Sequence, residues 1–106
     1  MPTTSRAKTT ISGPRSVLDL KRPPTSPGEM LFEEFLRPSG LTQVEATRRM
    51  GIPLNRLNEI VRGKRGITAD TALRLARLFD TSPEFWMGLQ ADADLWHAAR
   101  AFRKAV

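Results

Sequence analysis

The chain has 106 residues, with 17 Lys and Arg against 11 Asp and Glu, a formal net charge of +6, one His and no Cys. That length holds one small domain plus tails, and the charge favours a polyanionic partner, with nucleic acid first and an anionic membrane surface as the rival. The absent cysteines and single histidine remove the raw material of disulfide scaffolds, zinc fingers and thiol or Ser-His nucleophiles, and no apolar run approaches the roughly 18 residues of a membrane span.

Residues 1–25 are rich in Thr, Ser and Pro with basic side chains such as Arg6, Lys8 and Arg15, and they hold no apolar core of a secretory signal. They read as a flexible basic N-terminal tail, in which only Val17, Leu18 and Leu20 offer apolar surface to tie down onto the domain or a partner. Residues 26–106 read as an all-α domain of five helices. Ser26-Pro27-Gly28-Glu29 signals a capping box with proline at the first helical position, and Leu31, Phe32, Phe35 and Leu36 follow at helical spacing. Pro38 and Gly40 are expected to end this first helix. Thr42-Gln43-Val44-Glu45 opens a second helix that runs through Met50 to Gly51, and Pro53 starts a third that buries Leu57, Ile60 and Val61 and closes at Gly63. Thr68 caps a fourth helix with Ala72, Leu75, Ala76 and Phe79 inward, and Ser82-Pro83-Glu84 opens a long last helix to about Lys104.

Two short helices joined by a glycine turn, with apolar residues at fixed offsets, form a helix-turn-helix whose second helix enters the DNA major groove. Counting from Gln43, position nine is Gly51, ten is Ile52, fifteen is Leu57 and eighteen is Ile60, the turn and core positions of that unit. Position five, where a small residue lets the helices approach, holds the slightly bulkier Thr47. The third helix then presents Leu54, Asn55, Arg56, Asn58, Glu59 and Arg62 outward. Arg bonds guanine and Asn bonds adenine bidentately, each good pair giving about 1–3 kcal/mol of discrimination, and Arg56 and Asn58 are the leading base readers. Leu54 either staples the helix to its neighbour or touches a thymine methyl. Glu59 pairs with Arg56 or Arg62, or accepts from a cytosine amino group. Thr42 and Gln43 at the start of the second helix, with Lys64 and Arg65 beyond the third, are placed to hold phosphates. Between Gln43 and Arg65 six basic residues face two acidic ones, which agrees with that role.

The last helix carries Trp86, Leu89, Ala93, Trp96, Ala99 and Phe102 at spacings of three and four. The stripe is longer than four short helices cover, so Trp86, Leu89, Trp96 and Phe102 read as a dimer or partner interface, Trp86 and Leu89 being equally able to fold back as core. His97 beside it reads as an ordinary surface residue. No cofactor, metal ion or catalytic activity is expected, and a cytoplasmic location fits the composition.

Three runs carry a resemblance: RPPTSPGE at 22–29, NEIVRGKRGITADTALRLA at 58–76 and SPEFW at 82–86. Together they resemble the HigA antitoxins within the wider Cro and lambda repressor superfamily, over about residues 21–102. The resemblance implies a homodimer that binds an inverted-repeat operator in double-stranded DNA, represses its own operon, and neutralises a HigB-like ribonuclease toxin by direct binding. The alternatives are a plain helix-turn-helix repressor without a toxin partner, or a toxin-masking protein with weak DNA binding. The chain departs from the family pattern at Ser26, where His is common, and in the longer stretch before Lys21.

Overall fold

Hydroxyl caps set most of the helix starts. In the computed structural model, which describes residues 16–105, Ser26 Oγ accepts from the Glu29 N–H (3.1 Å), Thr42 Oγ1 from Glu45 (3.1 Å), Thr68 Oγ1 from Thr71 (3.3 Å) and Ser82 Oγ from Phe85 (3.1 Å). Each bond satisfies an amide that has no partner inside its own helix. The described residues form α1 (residues 27–39), α2 (Gln43–Met50), α3 (Leu54–Val61), α4 (Ala69–Phe79) and α5 (Pro83–Ala105), preceded by a 3-10 turn at Val17–Asp19. The all-α, five-helix expectation holds for these residues, none of which is in a strand.

α1 is composite: α-helical at Pro27–Met30, π-helical at Leu31–Leu36 and α-helical again at Arg37–Ser39. Contrary to expectation, Pro38 lies inside this helix, and Gly40, at φ 73°, ends it alone. Pro38 cannot donate a hydrogen bond and its ring crowds the carbonyl four residues back, so the preceding turn widens, with the Arg37 N–H reaching Phe32 O. The wider turn places Leu31 and Leu36, five apart, together in the core, while Phe32 stays exposed with the Arg37 guanidinium over its ring. Gly28 sits directly on the backbone of α3, where a Cβ would collide with the Ile60 carbonyl oxygen.

The core collects Leu31, Leu57, Ile60, Leu75 and Trp86, with Ala46, Met50, Ile52, Ile67 and Ala72 around them. Trp86 is 0% exposed, donates through Nε1 to Thr81 Oγ1 (2.7 Å), and its ring meets Phe35 and Phe85 at 5.1 Å. Trp96 is 6% exposed, donates through Nε1 to Leu20 O (2.9 Å) and carries the Arg100 guanidinium at 4.6 Å. Trp86 thus takes the core alternative that the sequence left open, whereas Trp96, expected at an interface, is covered within one chain where the 3-10 turn packs on α5. Leu89 is half-buried against the same core, and only Phe102, 71% exposed, stays at the surface. Leu20 is the point at which the basic tail is tied down. The flexible character expected of residues 1–15 lies outside the described residues. Among the described residues no helix is long and apolar enough to cross a membrane.

Candidate nucleic-acid interface

The turn between α2 and α3 is built from sequence-local parts. Thr42 and Glu45 form a full capping box, Glu45 Oε1 accepting from the Thr42 N–H at 3.0 Å, and these bonds hold the Glu45 carboxyl below its usual range. Gly51 at φ 74° lets the chain reverse, its N–H and that of Ile52 both bonding Thr47 O (2.8 and 3.2 Å). Thr47 is tolerated at the close approach of the helices because its hydroxyl donates to Val44 O (2.8 Å) while its methyl is buried. Leu57 and Ile60 point into the core, which fixes the rotation of α3 and turns Asn55 and Arg62 to solvent.

The leading base reader is placed otherwise. Arg56 Nη2 donates to Asp70 Oδ2 (2.8 Å) and Thr71 Oγ1 (2.6 Å) of α4, leaving its side chain 24% exposed. Arg56 therefore braces α3 against α4. The same Asp70 oxygen accepts from Arg74 Nε (2.9 Å), and Arg74 Nη1 donates to Met50 O (2.7 Å) at the end of α2. One carboxylate thus ties all three helices, and its hydrogen bonds from Arg56 and Arg74 hold its pKa below the ordinary aspartate value. Asn58 Nδ2 donates to Gln43 Oε1 (3.3 Å), so these two predicted contact residues sit side by side where α2 starts and α3 runs past it. Leu54 is exposed, which sets aside the stapling reading and leaves its methyls free for an apolar contact.

Beyond α3 the chain turns at Gly63, φ 75°, with the Lys64 and Arg65 amides bonding Glu59 O. Lys64 projects freely. Arg65 pairs with Glu59 (Nη2 to Oε1, 2.6 Å), which corrects the pairing expected with Arg56 or Arg62. The loop is anchored by a residue that the sequence reading missed: Gln90 of α5 accepts from the Ile67 N–H (2.7 Å) while donating to Asp94 (2.8 Å). The signal was Gly66, where a Cβ would lie only 3.1 Å from the Gln90 amide. Asn55, Asn58, Arg62 and Lys64 remain as the outward polar and cationic set, flanked by Thr42, Gln43 and Arg65. Among the described residues no His, Cys, Asp and Glu cluster is arranged to hold a metal ion.

The helix-turn-helix family model matches residues 32–86, more than half of the chain. Virulence-associated protein I of Dichelobacter nodosus is 47% identical over 73 residues, 69% of this chain and 68% of its own length. Antitoxin HigA-1 of Vibrio cholerae is 37% identical over 84 residues, 79% of each chain. Among solved structures, the Pseudomonas aeruginosa antitoxin HigA with the higBA promoter superposes with a TM-score of 0.74 at 43% identity, covering 77% of this chain and 89% of that one.

Proposed function

The chain belongs to the helix-turn-helix family, alongside the HigA-type antitoxins, and from that premise we propose that it is a dimeric, sequence-specific DNA-binding antitoxin that represses its own operon and neutralises a ribonuclease toxin by direct binding. One observation carries the DNA half of this reading. A rigidly braced α3 presents Asn55, Asn58 and Arg62 outward, with Lys64 and the α2 start at its two ends. Amide and guanidinium groups on that face suit base edges, and the flanking cation and helix start suit phosphates.

For the dimer contact we propose a face of α5 that keeps Phe102 of the expected set and replaces the covered tryptophans. Gly88, Ala91, Leu95, Ala98 and Phe102, spaced three and four apart, are all exposed, Leu95 by 54%. That spacing suits the seam of a two-helix contact. Antiparallel pairing of two copies would set the acidic first half of α5, with Glu84 and Asp92, against the basic end, with Arg103 and Lys104. Two recognition helices related in this way read half-sites roughly 34 Å apart.

Footprinting of the DNA upstream of the protein's own gene tests the proposal. Two protected half-sites in inverted repeat are expected. A single unpaired protection would remove the dimer, and no protection at all would remove the repressor.

A further inference from the structure

The outward face of α3 is not uniformly polar. Of the apolar side chains on this helix, Leu57 and Ile60 are buried and Val61 packs against the core, whereas Leu54, the first residue, is 46% exposed. Core packing does not call for an apolar residue there. Leu57 and Ile60 fix the rotation of the helix, and at 3.6 residues per turn Leu54 shares its flank with Asn58, one turn on, and is followed in the chain by the exposed Asn55. Asn58 bonds Gln43 at 3.3 Å, so this flank faces the start of α2, the end offered to a phosphate.

A recognition helix brings its N-terminal residues to the base edges of the major groove. Those edges present hydrogen-bond donors and acceptors at every pair, and a single kind of apolar group, the C5 methyl of thymine. Asn55, Asn58 and Arg62 answer the donors and acceptors, while the side chain of Leu54 has no polar atom and answers the methyl alone. An apolar protein surface seated on Leu54 would also cover the exposed Asn55, taking its amide out of water with no partner assured. Resting on the operator-binding function proposed above, we infer that Leu54 is a specificity-determining residue that packs on the C5 methyl of one thymine in each operator half-site. One helical turn advances about 5.4 Å and one base pair about 3.4 Å, which puts this thymine within about two base pairs of the base bonded by Asn58. Cytosine at the same place lacks the methyl and presents an amino group that leucine leaves unpaired, so the contact selects against it.

The test uses the full chain and its footprinted operator, in which each half-site thymine is replaced in turn by deoxyuridine, a base that lacks only the methyl. Affinities are measured for wild type and Leu54→Ala, with the melting temperature as the control of folding. One thymine per half-site is expected to matter: its replacement should weaken wild type about 3- to 5-fold, and about 10- to 20-fold when both half-sites are changed, the size of a buried methyl group. Leu54→Ala should bind the thymine and uracil operators alike. At the same position wild type should prefer 5-methylcytosine to cytosine, and Leu54→Ala should not. Indifference of wild type to uracil at every position, with operator binding intact, would overturn the contact and leave the operator-binding reading standing. A Leu54→Ala protein that still tells thymine from uracil as wild type does would assign the methyl to another residue and overturn the inference. So would a variant that binds both operators like wild type but changes its own assembly state, since the leucine would then serve a protein contact. No binding of any upstream fragment by wild type would overturn both readings.

Discussion

Arg56 lies on the outer half of α3, where a free guanidinium would reach guanine, yet Asp70 and Thr71 hold it. Its truncation to Ala is therefore expected to lower the melting temperature and weaken cognate and random duplexes to the same degree, as measured by titration of both. Selective loss on cognate DNA would return it to base reading. Asp70 gives this brace a pH dependence. Its folded carboxyl titrates below the ordinary aspartate value, so the stabilisation is complete above that value and is lost as pH falls through the lowered one. Acid titration of Asp70→Asn should lack that component, and at neutral pH the variant should resemble the acidified wild type. Gly28→Ala drives a methyl into the Ile60 carbonyl and should cost about 1–3 kcal/mol in denaturant unfolding. The sequence exposed the types of the contact residues but not their commitments. Arg56 meets partners fourteen and fifteen positions away, and Gln90 meets Ile67 across twenty-three. Apart from Gly66, which leaves room for the Gln90 amide, nothing local marks such pairs.

The helices were legible because their starts are local chemistry. Ser26, Thr42, Thr68 and Ser82 each cap an amide three residues on, and Gly51 and Gly63 close their helices at positive φ. Pro38 misled, since a proline usually ends a helix, whereas here the turn before it widens and the helix runs on. α5 misled in another way. It has two apolar stripes at the same spacing; the domain core covers Trp86 of one of them, and the 3-10 turn at Val17–Asp19 folds back over Trp96 of the same stripe. Trp96→Ala should therefore cost about 3–5 kcal/mol of folding stability and release residues 16–20, seen as faster amide hydrogen exchange there. Leu95→Lys should leave monomer stability nearly unchanged but shift sedimentation toward the monomer. A dimer that survives Leu95→Lys would move the two-fold contact off α5.

At the scale of the whole molecule, a net charge of +6 announces a polyanionic partner but not its arrangement. Helix-turn-helix offsets that stand in the sequence place α3, and three-dimensional packing decides which of its side chains are free. A net charge also does not show that Glu29, Glu33 and Glu34 of α1 come beside Phe85 when α5 returns to α1. The central claim is that α3 reads bases while its flanks hold phosphates. The measurement that bears on it most directly is a salt titration of binding to the operator and to a scrambled duplex, comparing Asn55→Ala, Asn58→Ala with Lys64→Ala. The double variant should lose about 10- to 1000-fold on operator only, with its salt slope unchanged, whereas Lys64→Ala should weaken both duplexes and reduce the slope by about one. Equal losses on the two duplexes for both variants would contradict base reading by α3.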